Sequence, residues 1–377
     1  MHNESILPFP KRREKSVLYK VVSENLNTFL ELGFVNGGVP EYVEKEFNEF
    51  LECGVLAYGF LRVKCDDCKN EKLVPFSCKK RGFCPTCTSK RMSETTEHIE
   101  SDLIPRVPLR QFVLSVPIPL RFWMSCEPKL QSKIHGIVCR VINGFYKRKL
   151  SERYSLNKSE IELGGVTLIQ RSGSRINLNI HFHMLYVDGC YVMKNEKPVF
   201  YKAPEPSDSD IETLIKEISH RVIRYLRKRG YLDSPDIDES LINMLYSASI
   251  KNVAAFGINR GRRLRFIGSG FGFENEEISK VSHLCVKLNG FSLHAASAMR
   301  AGDRKRIRNI CNYVLRPPVA VERLKELDNG DISYRLKKPW SNGTTHVVFT
   351  PLELMERLAA IIPKPRTHPS RWLGSSL

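Results

Sequence analysis

Two Cys-x-x-Cys pairs constrain this chain more tightly than any other feature. They lie in KCDDCKNEKLVPFSCKKRGFCPTCTSKR, residues 64–91, as Cys65/Cys68 and Cys84/Cys87 with fifteen residues between them. Each knuckle sets two thiolates on one side of a tight turn, and two knuckles complete a tetrahedron around zinc. The spacing therefore predicts a structural zinc held by Cys65, Cys68, Cys84 and Cys87. Cys78 is a fifth sulfur for four places, expected either to displace one of the four or to pack beside them. A closed four-cysteine site has no open coordination position, so it is expected to do no chemistry. Lys64, Lys69, Lys72, Lys79, Lys80, Arg81, Lys90 and Arg91 surround it, which predicts a basic surface presented to DNA.

The compartment supports metal over disulfides. The opening MHNESILPFPKRR lacks an apolar signal core, and no apolar run approaches the roughly 18 residues of a membrane span. A cytoplasmic location is expected, where thiols stay reduced. Most of the remaining cysteines (Cys53, Cys126, Cys139, Cys190, Cys285, Cys311) are expected to be small buried hydrophobes. With 42% hydrophobic and 27% charged residues the 377-residue chain is globular in composition, but its formal net charge of +18 is not ordinary. That excess calls for a densely anionic partner, nucleic acid first and an anionic membrane second.

Apolar periodicity predicts helices over about 14–33, 40–52, 129–149, 211–229, 302–316 and 351–362. It predicts a strand at 111–116, a hairpin of strands 165–171 and 176–187, and two strands within 331–349 around SNG. Residues 196–210 and 233–240 read as loops, and the Gly- and Arg-rich 257–273 has no clean period. The order β, α, β-hairpin, α fits an antiparallel sheet with helices on one face, an α+β fold.

Strand 176–187 carries an unusual pattern. Its even positions, Ile176 to Tyr186, are all apolar or aromatic, whereas the odd positions begin Asn177, Asn179, His181, His183. Side chains alternate with period two, so two imidazoles share one face and can share one divalent ion. Gln170 on the preceding strand is the candidate third ligand. The helix RIRNICNYVLRPP buries Ile307, Ile310, Cys311, Val314 and Leu315. Tyr313 lies about 120° from the centre of that stripe, among Arg306, Asn309 and Arg316. An off-stripe tyrosine among arginines is either a plain exposed aromatic or a phenol beside phosphate-binding groups. Tyr186 shares the apolar parity of its strand and is expected to be buried; Tyr146 has no adjacent metal-binding motif.

Together these motifs resemble the rolling-circle transposases of insertion sequence family ninety-one, in the HUH nuclease superfamily. The resemblance runs through FSCKKRGFCPTC, QFVLSVPIPLR, LIQRSGSRINLNIHFHMLYVDG, NYVLRPPVAVERL and YRLKKPWSNGTTHVVFTPLELMERLAAIIPKPR, nearly the whole chain. Members with two tyrosines carry Tyr-x-x-x-Tyr. Here Asn309 stands at the first position and Tyr313 at the second, so the chain resembles a single-tyrosine variant. The resemblance implies an HUH-nuclease-like α+β domain at 105–325. It would follow a helical segment at 1–62 and a zinc module at 63–100, and precede a C-terminal strand-helix segment at 326–377.

It further implies metal-dependent nicking and rejoining of single-stranded DNA at transposon ends. Tyr313 would form a 5′-phosphotyrosine, His181, His183 and Gln170 would hold Mg²⁺ or Mn²⁺, and Arg306 and Arg316 would steady the phosphate. No helicase P-loop is present, so unwinding would fall to a host helicase and replication proteins. The alternatives are a plasmid-type replication initiator or relaxase, a zinc-dependent DNA-binding protein without catalysis, and, more weakly, a small-molecule metallohydrolase.

Overall fold

The computed structural model describes residues 15–232, 240–267, 280–340 and 342–373. The N-terminal stretch 1–14, nearly all of the expected loop at 233–240, the later part of the segment at 257–273 and Ser341 of the expected SNG turn lie outside them. The chain opens with α1 (Val17–Val35) and α2 (Glu41–Glu52), a hairpin of β1 (Phe60–Lys64) and β2 (Glu71–Pro75), and α3 (Pro85–His98). Strand β3 (Leu109–Ser115) leads through α4 (Ile118–Cys126) into the long α5 (Pro128–Tyr154). Next come β4 (Gly165–Ser172), β5 (Leu178–Val187), β6 (Gly189–Lys194), β7 (Lys197–Lys202), α6 (Asp208–Lys228) and α7 (Leu241–Lys251). Strands β8 (Arg265–Ile267), β9 (Lys280–Ser282), β10 (Cys285–Leu288) and β11 (Phe291–Met299) precede α8 (Arg304–Leu315). The described chain closes with β12 (Leu324–Glu326), β13 (Ile332–Arg335), β14 (His346–Phe349), α9 (Pro351–Ile361) and β15 (Ser370–Leu373).

Seven strands form one antiparallel sheet in the order β15-β4-β5-β3-β11-β10-β9. A smaller sheet runs β12-β13-β14-β8. The even positions of β5, Leu178 to Tyr186, are fully buried, and that face packs on α5. Tyr146 stacks on Tyr186 at 5.9 Å between ring centroids, and Phe112 meets Tyr146 edge-on at 6.2 Å. A buried ion pair closes the same layer. Arg110 reaches Asp188 through Nε and Nη2, both at 3.2 Å, and the Tyr146 hydroxyl donates to Asp188 Oδ1 at 3.0 Å. Tyr146 and Tyr186 are thus core residues, and burial pushes both phenols well above their ordinary range.

The other face of the sheet is not bare. Helix α8 lies across it, with Ile307, Cys311 and Val314 buried against Leu109, Val166, Leu168, Leu185, Val187 and Met299. The expectation of helices on one face is corrected here. The odd positions of β5 turn apolar after His183, at Leu185 and Val187, and an apolar surface of that size must be covered. The expected loop at 196–210 also holds a strand: Asn195 and Glu196, both at positive φ, turn β6 into β7. Strands β10 and β11, which had no counterpart in the sequence reading, fill the far side of β3.

Helix α9 ties the small sheet to the core. Its Glu356 accepts the backbone N–H groups of Ala255 (2.7 Å) and Phe256 (2.9 Å), and burial raises the carboxyl to about 7. A carboxyl raised above its unfolded value of 4.5 gives stability that is full below pH 4.5 and is lost as pH rises through 7. Glu356→Gln fixes the neutral form. The difference in unfolding free energy between wild type and variant should therefore move by about 3 kcal/mol in favour of the variant across that window. Zinc-saturated protein unfolded in denaturant at each pH reads this directly; a difference independent of pH would contradict it.

Candidate active site and metal centre

The zinc-type centre forms, but with a different set of sulfurs. Cys53, Cys78, Cys84 and Cys87 have their sulfurs within 4.8 Å of one another. The Sγ separations Cys53–Cys84, Cys53–Cys87 and Cys78–Cys87 are 3.8, 3.6 and 3.4 Å. Four thiolates about 2.3 Å from a central zinc would sit about 3.8 Å apart. Hydrogen bonding from Cys78 and its neighbours holds the Cys53 thiol well below its usual range. Cys65 and Cys68 are not in this group, which corrects the expected ligand set. Their knuckle is the tip of the β1–β2 hairpin, closed by Cys65 N–H to Asn70 O at 2.9 Å and Lys69 N–H to Cys65 O at 3.0 Å, and both thiols are exposed.

Packing explains the exchange. Cys53 ends α2, and Phe83 wedges into that helix against Phe47 (5.0 Å) and Phe50 (4.9 Å). The Gly82 N–H donates to buried Glu46 at 2.6 Å, and a Cβ on Gly82 would push that carboxylate aside. The loop carrying Cys84 is thereby seated on α2 rather than on the hairpin. Cys53 gave no sequence signal because its partners are distant and it lies outside any Cys-x-x-Cys.

The histidines share one face as expected. The ring centroids of His181 and His183 are 4.8 Å apart. Gln170 stands directly opposite His181 across the β4–β5 ladder, and a bulge follows it on β4. Two residues not singled out in the sequence join them. Gln111 on β3 places its amide nitrogen 3.1 Å from His183 Nδ1. His294 on β11 pairs with Val113, next to a second bulge, and lines the same ≈380 Å³ cleft as Gln111, His183, Arg306, Asn309 and Tyr313. The alternation in FSLHAAS, with Phe291, Leu293 and Ala295 buried between Ser292 and His294, is the signal that could have found it. Bulges re-aim side chains and recur beside active sites.

The two imidazoles of β5 offer ring nitrogens with the chemistry of divalent-ion ligands. His181 Nδ1 lies 2.8 Å from Asn179 O, so Nδ1–H donates to that carbonyl and Nε2 keeps its lone pair. His183 Nε2 is buried with no partner among the described residues; a flip of the Gln111 amide would let its oxygen accept Nδ1–H and free Nε2 in the same way. Burial lowers His181 and His294, and lowers His183 to about 3, with the neighbouring His181 and Arg316 adding to it. All three imidazoles are therefore neutral at pH 7, the form that binds metal.

Tyr313 reaches this face from α8. Its ring centroid is 6.4 Å from that of His183, and its side chain is half exposed. The Arg316 guanidinium lies 4.5 Å from the tyrosine ring centroid and Lys337 Nζ 5.2 Å from it. Asp303 caps α8 by accepting the Arg306 N–H at 3.1 Å. Arg308 forks onto the Glu100 carboxylate at 2.7 and 3.0 Å, and Thr96 bonds Asn312 at 2.9 Å. The helix that presents Tyr313 is therefore held by α3 and the turn after it, which begin at the cysteine centre.

The revised ligand set makes a sharp prediction. Native protein should carry about one zinc per chain by elemental analysis. Cys53→Ser and Cys78→Ser should each lose most of it, and Cys65→Ser and Cys68→Ser should keep it; the reverse pattern would restore the two-knuckle site.

Among the described residues no helix is long and apolar enough to cross a membrane. No curated protein and no solved structure matches the chain. Two family models do. An IS91-type transposase zinc-binding domain matches residues 21–116, which contain all four clustered cysteines. The Y2_Tnp transposase family matches residues 164–376, more than half of the chain, including the histidine strand and the tyrosine helix. The chain belongs to the Y2_Tnp transposase family and carries an IS91-type zinc-binding domain ahead of it.

Proposed function

We propose that this transposase nicks and rejoins single-stranded DNA at transposon ends with Tyr313 as its one nucleophile, in rolling-circle fashion. The observation that carries the reading is the approach of the Tyr313 ring to His183 within one cleft, with Arg306 on its wall. The Tyr313 hydroxyl oxygen attacks the scissile phosphorus and gives up its proton, the P–O bond to the 3′ oxygen breaks, and that oxygen takes up a proton and leaves as a 3′-hydroxyl. The 5′-phosphotyrosine keeps the phosphodiester energy, so a 3′-hydroxyl attacking it restores the strand and releases the phenol without ATP. Arg306 and Arg316 bind the phosphate oxygens.

His181 and His183 would hold Mg²⁺ or Mn²⁺, which when bound would supply Lewis-acid polarisation of the phosphate. Gln170, opposite His181 on β4, is the neutral candidate for a third ligand, so the ion would keep its full charge toward the phosphate. Asn309 in place of a second tyrosine favours one attack per helix. Host helicase and replication proteins would supply the single strand.

Tyr313→Phe removes one hydroxyl from a half-exposed ring and should abolish the covalent protein–DNA adduct while zinc content persists. Adduct formation with 5′-labelled downstream strand would contradict the role. His181→Ala and His183→Ala should each reduce cleavage by at least 100-fold. Removal of divalent ions by EDTA should stop wild-type cleavage and Mn²⁺ or Mg²⁺ should restore it; full activity in the double alanine variant would refute the metal site.

A further inference from the structure

A second cavity, of ≈140 Å³, opens where β4 runs past the end of β15 and meets α3, the start of α5 and the end of α8. Arg81, Arg91, Arg171 and Arg316 line it with Gln131 and Gln170, and among the described residues no acidic one does. Gln131 is 1% exposed, yet among the described residues neither its amide oxygen nor its amide nitrogen has a partner. Arg91 Nη1 and Arg171 Nε and Nη2 are likewise buried without one. Burying an amide unpaired costs stability, so a site that keeps one is set to receive a ligand with a donor beside an acceptor. The four arginines add that the ligand is anionic. Met92, Ile169 and Leu315 give the walls apolar surface, and the cavity is open on one side, so a base need enter it only by its reading edge.

The cavity adjoins the tyrosine site through two shared residues. Arg316 lies over the Tyr313 ring and also lines the cavity, and Gln170 pairs across the ladder with His181. We infer that the cavity takes the unstacked base of a nucleotide flanking the scissile phosphate, with Gln131 reading the base edge and the arginines holding the adjoining phosphates. This rests on the single-stranded DNA reading above. Unstacking a base is least costly in a single strand, and a glutamine amide pairs best with the N6/N7 edge of adenine. The cavity is thus a specificity site for adenine at one position.

The test uses the full-length chain with Tyr313→Phe to prevent cleavage, and fluorescence anisotropy with labelled oligo(dT) carrying no insertion, one dA or one dC. One dA should tighten binding roughly ten-fold over plain oligo(dT). Gln131→Met should bring that ratio to near one. Gln131→Glu, an acceptor only, should shift the preference toward dC. Retained zinc in each variant reports folding. If the oligonucleotides bind with no base preference, or if Gln131→Met keeps the wild-type preference, the base pocket is overturned and the single-strand reading stands. If none binds, both fall.

Discussion

The docking of α8 across the sheet is the contact on which the candidate site depends. Burial of Ile307, Cys311 and Val314 against Leu168, Leu185 and their neighbours fixes the rotation of the helix. Each apolar side chain so covered contributes ~1.5–3 kcal/mol. With that face down, Tyr313 is carried round to the histidines. Rotation alone does not fix position along the axis. The Glu100–Arg308 fork, the Thr96–Asn312 bond and the Arg304 bond to Ile104 O (2.9 Å) do. Glu100 and Thr96 belong to the element that begins at Cys84 and Cys87. The cysteine centre and the tyrosine are thus joined by one continuous rod, so the module that the family model marks as zinc-binding also supports the helix of the catalytic proposal.

Charge divides the molecule in a way that suits a nucleic-acid enzyme. The buried face of the sheet pairs its charges, as Arg110 does with Asp188. On the α8 face Arg306 in the cleft and Arg316 and Lys337 over Tyr313 form no ion pair among the described residues. Histidines buried among such groups stay neutral, because protonation would add charge to an already positive, desolvated surface.

The sheet was legible because the even positions of β5 are apolar throughout, and the pattern that buries Phe182 and Met184 turns His181 and His183 to the opposite face. Helix α8 was legible in its stripe and its Pro-Pro stop. Its location was not, since nothing local to residues 304–315 says which face of the sheet it covers. The cysteine ligands were misread because spacing sees only neighbours: Cys65 and Cys68 look like half a site, but the large side chains of their hairpin, Phe60, Leu61 and Leu73, stay exposed and do not pack it onto the rest. Cys53 enters only because α2 and Phe83 pack. His294 and Gln111 sit on strands joined across the β3–β11 and β3–β5 ladders, a register that one strand's sequence does not contain.

The claim at the centre is that Tyr313 alone takes the DNA. Wild-type protein incubated with single-stranded transposon-end DNA and Mn²⁺, trimmed with nuclease and digested with trypsin, can be sequenced by tandem mass spectrometry. Single-tyrosine chemistry predicts a nucleotide 5′-phosphate mass on the peptide containing Tyr313 and on that residue. The same mass on any other tyrosine, or none anywhere with cleavage proceeding, would contradict it.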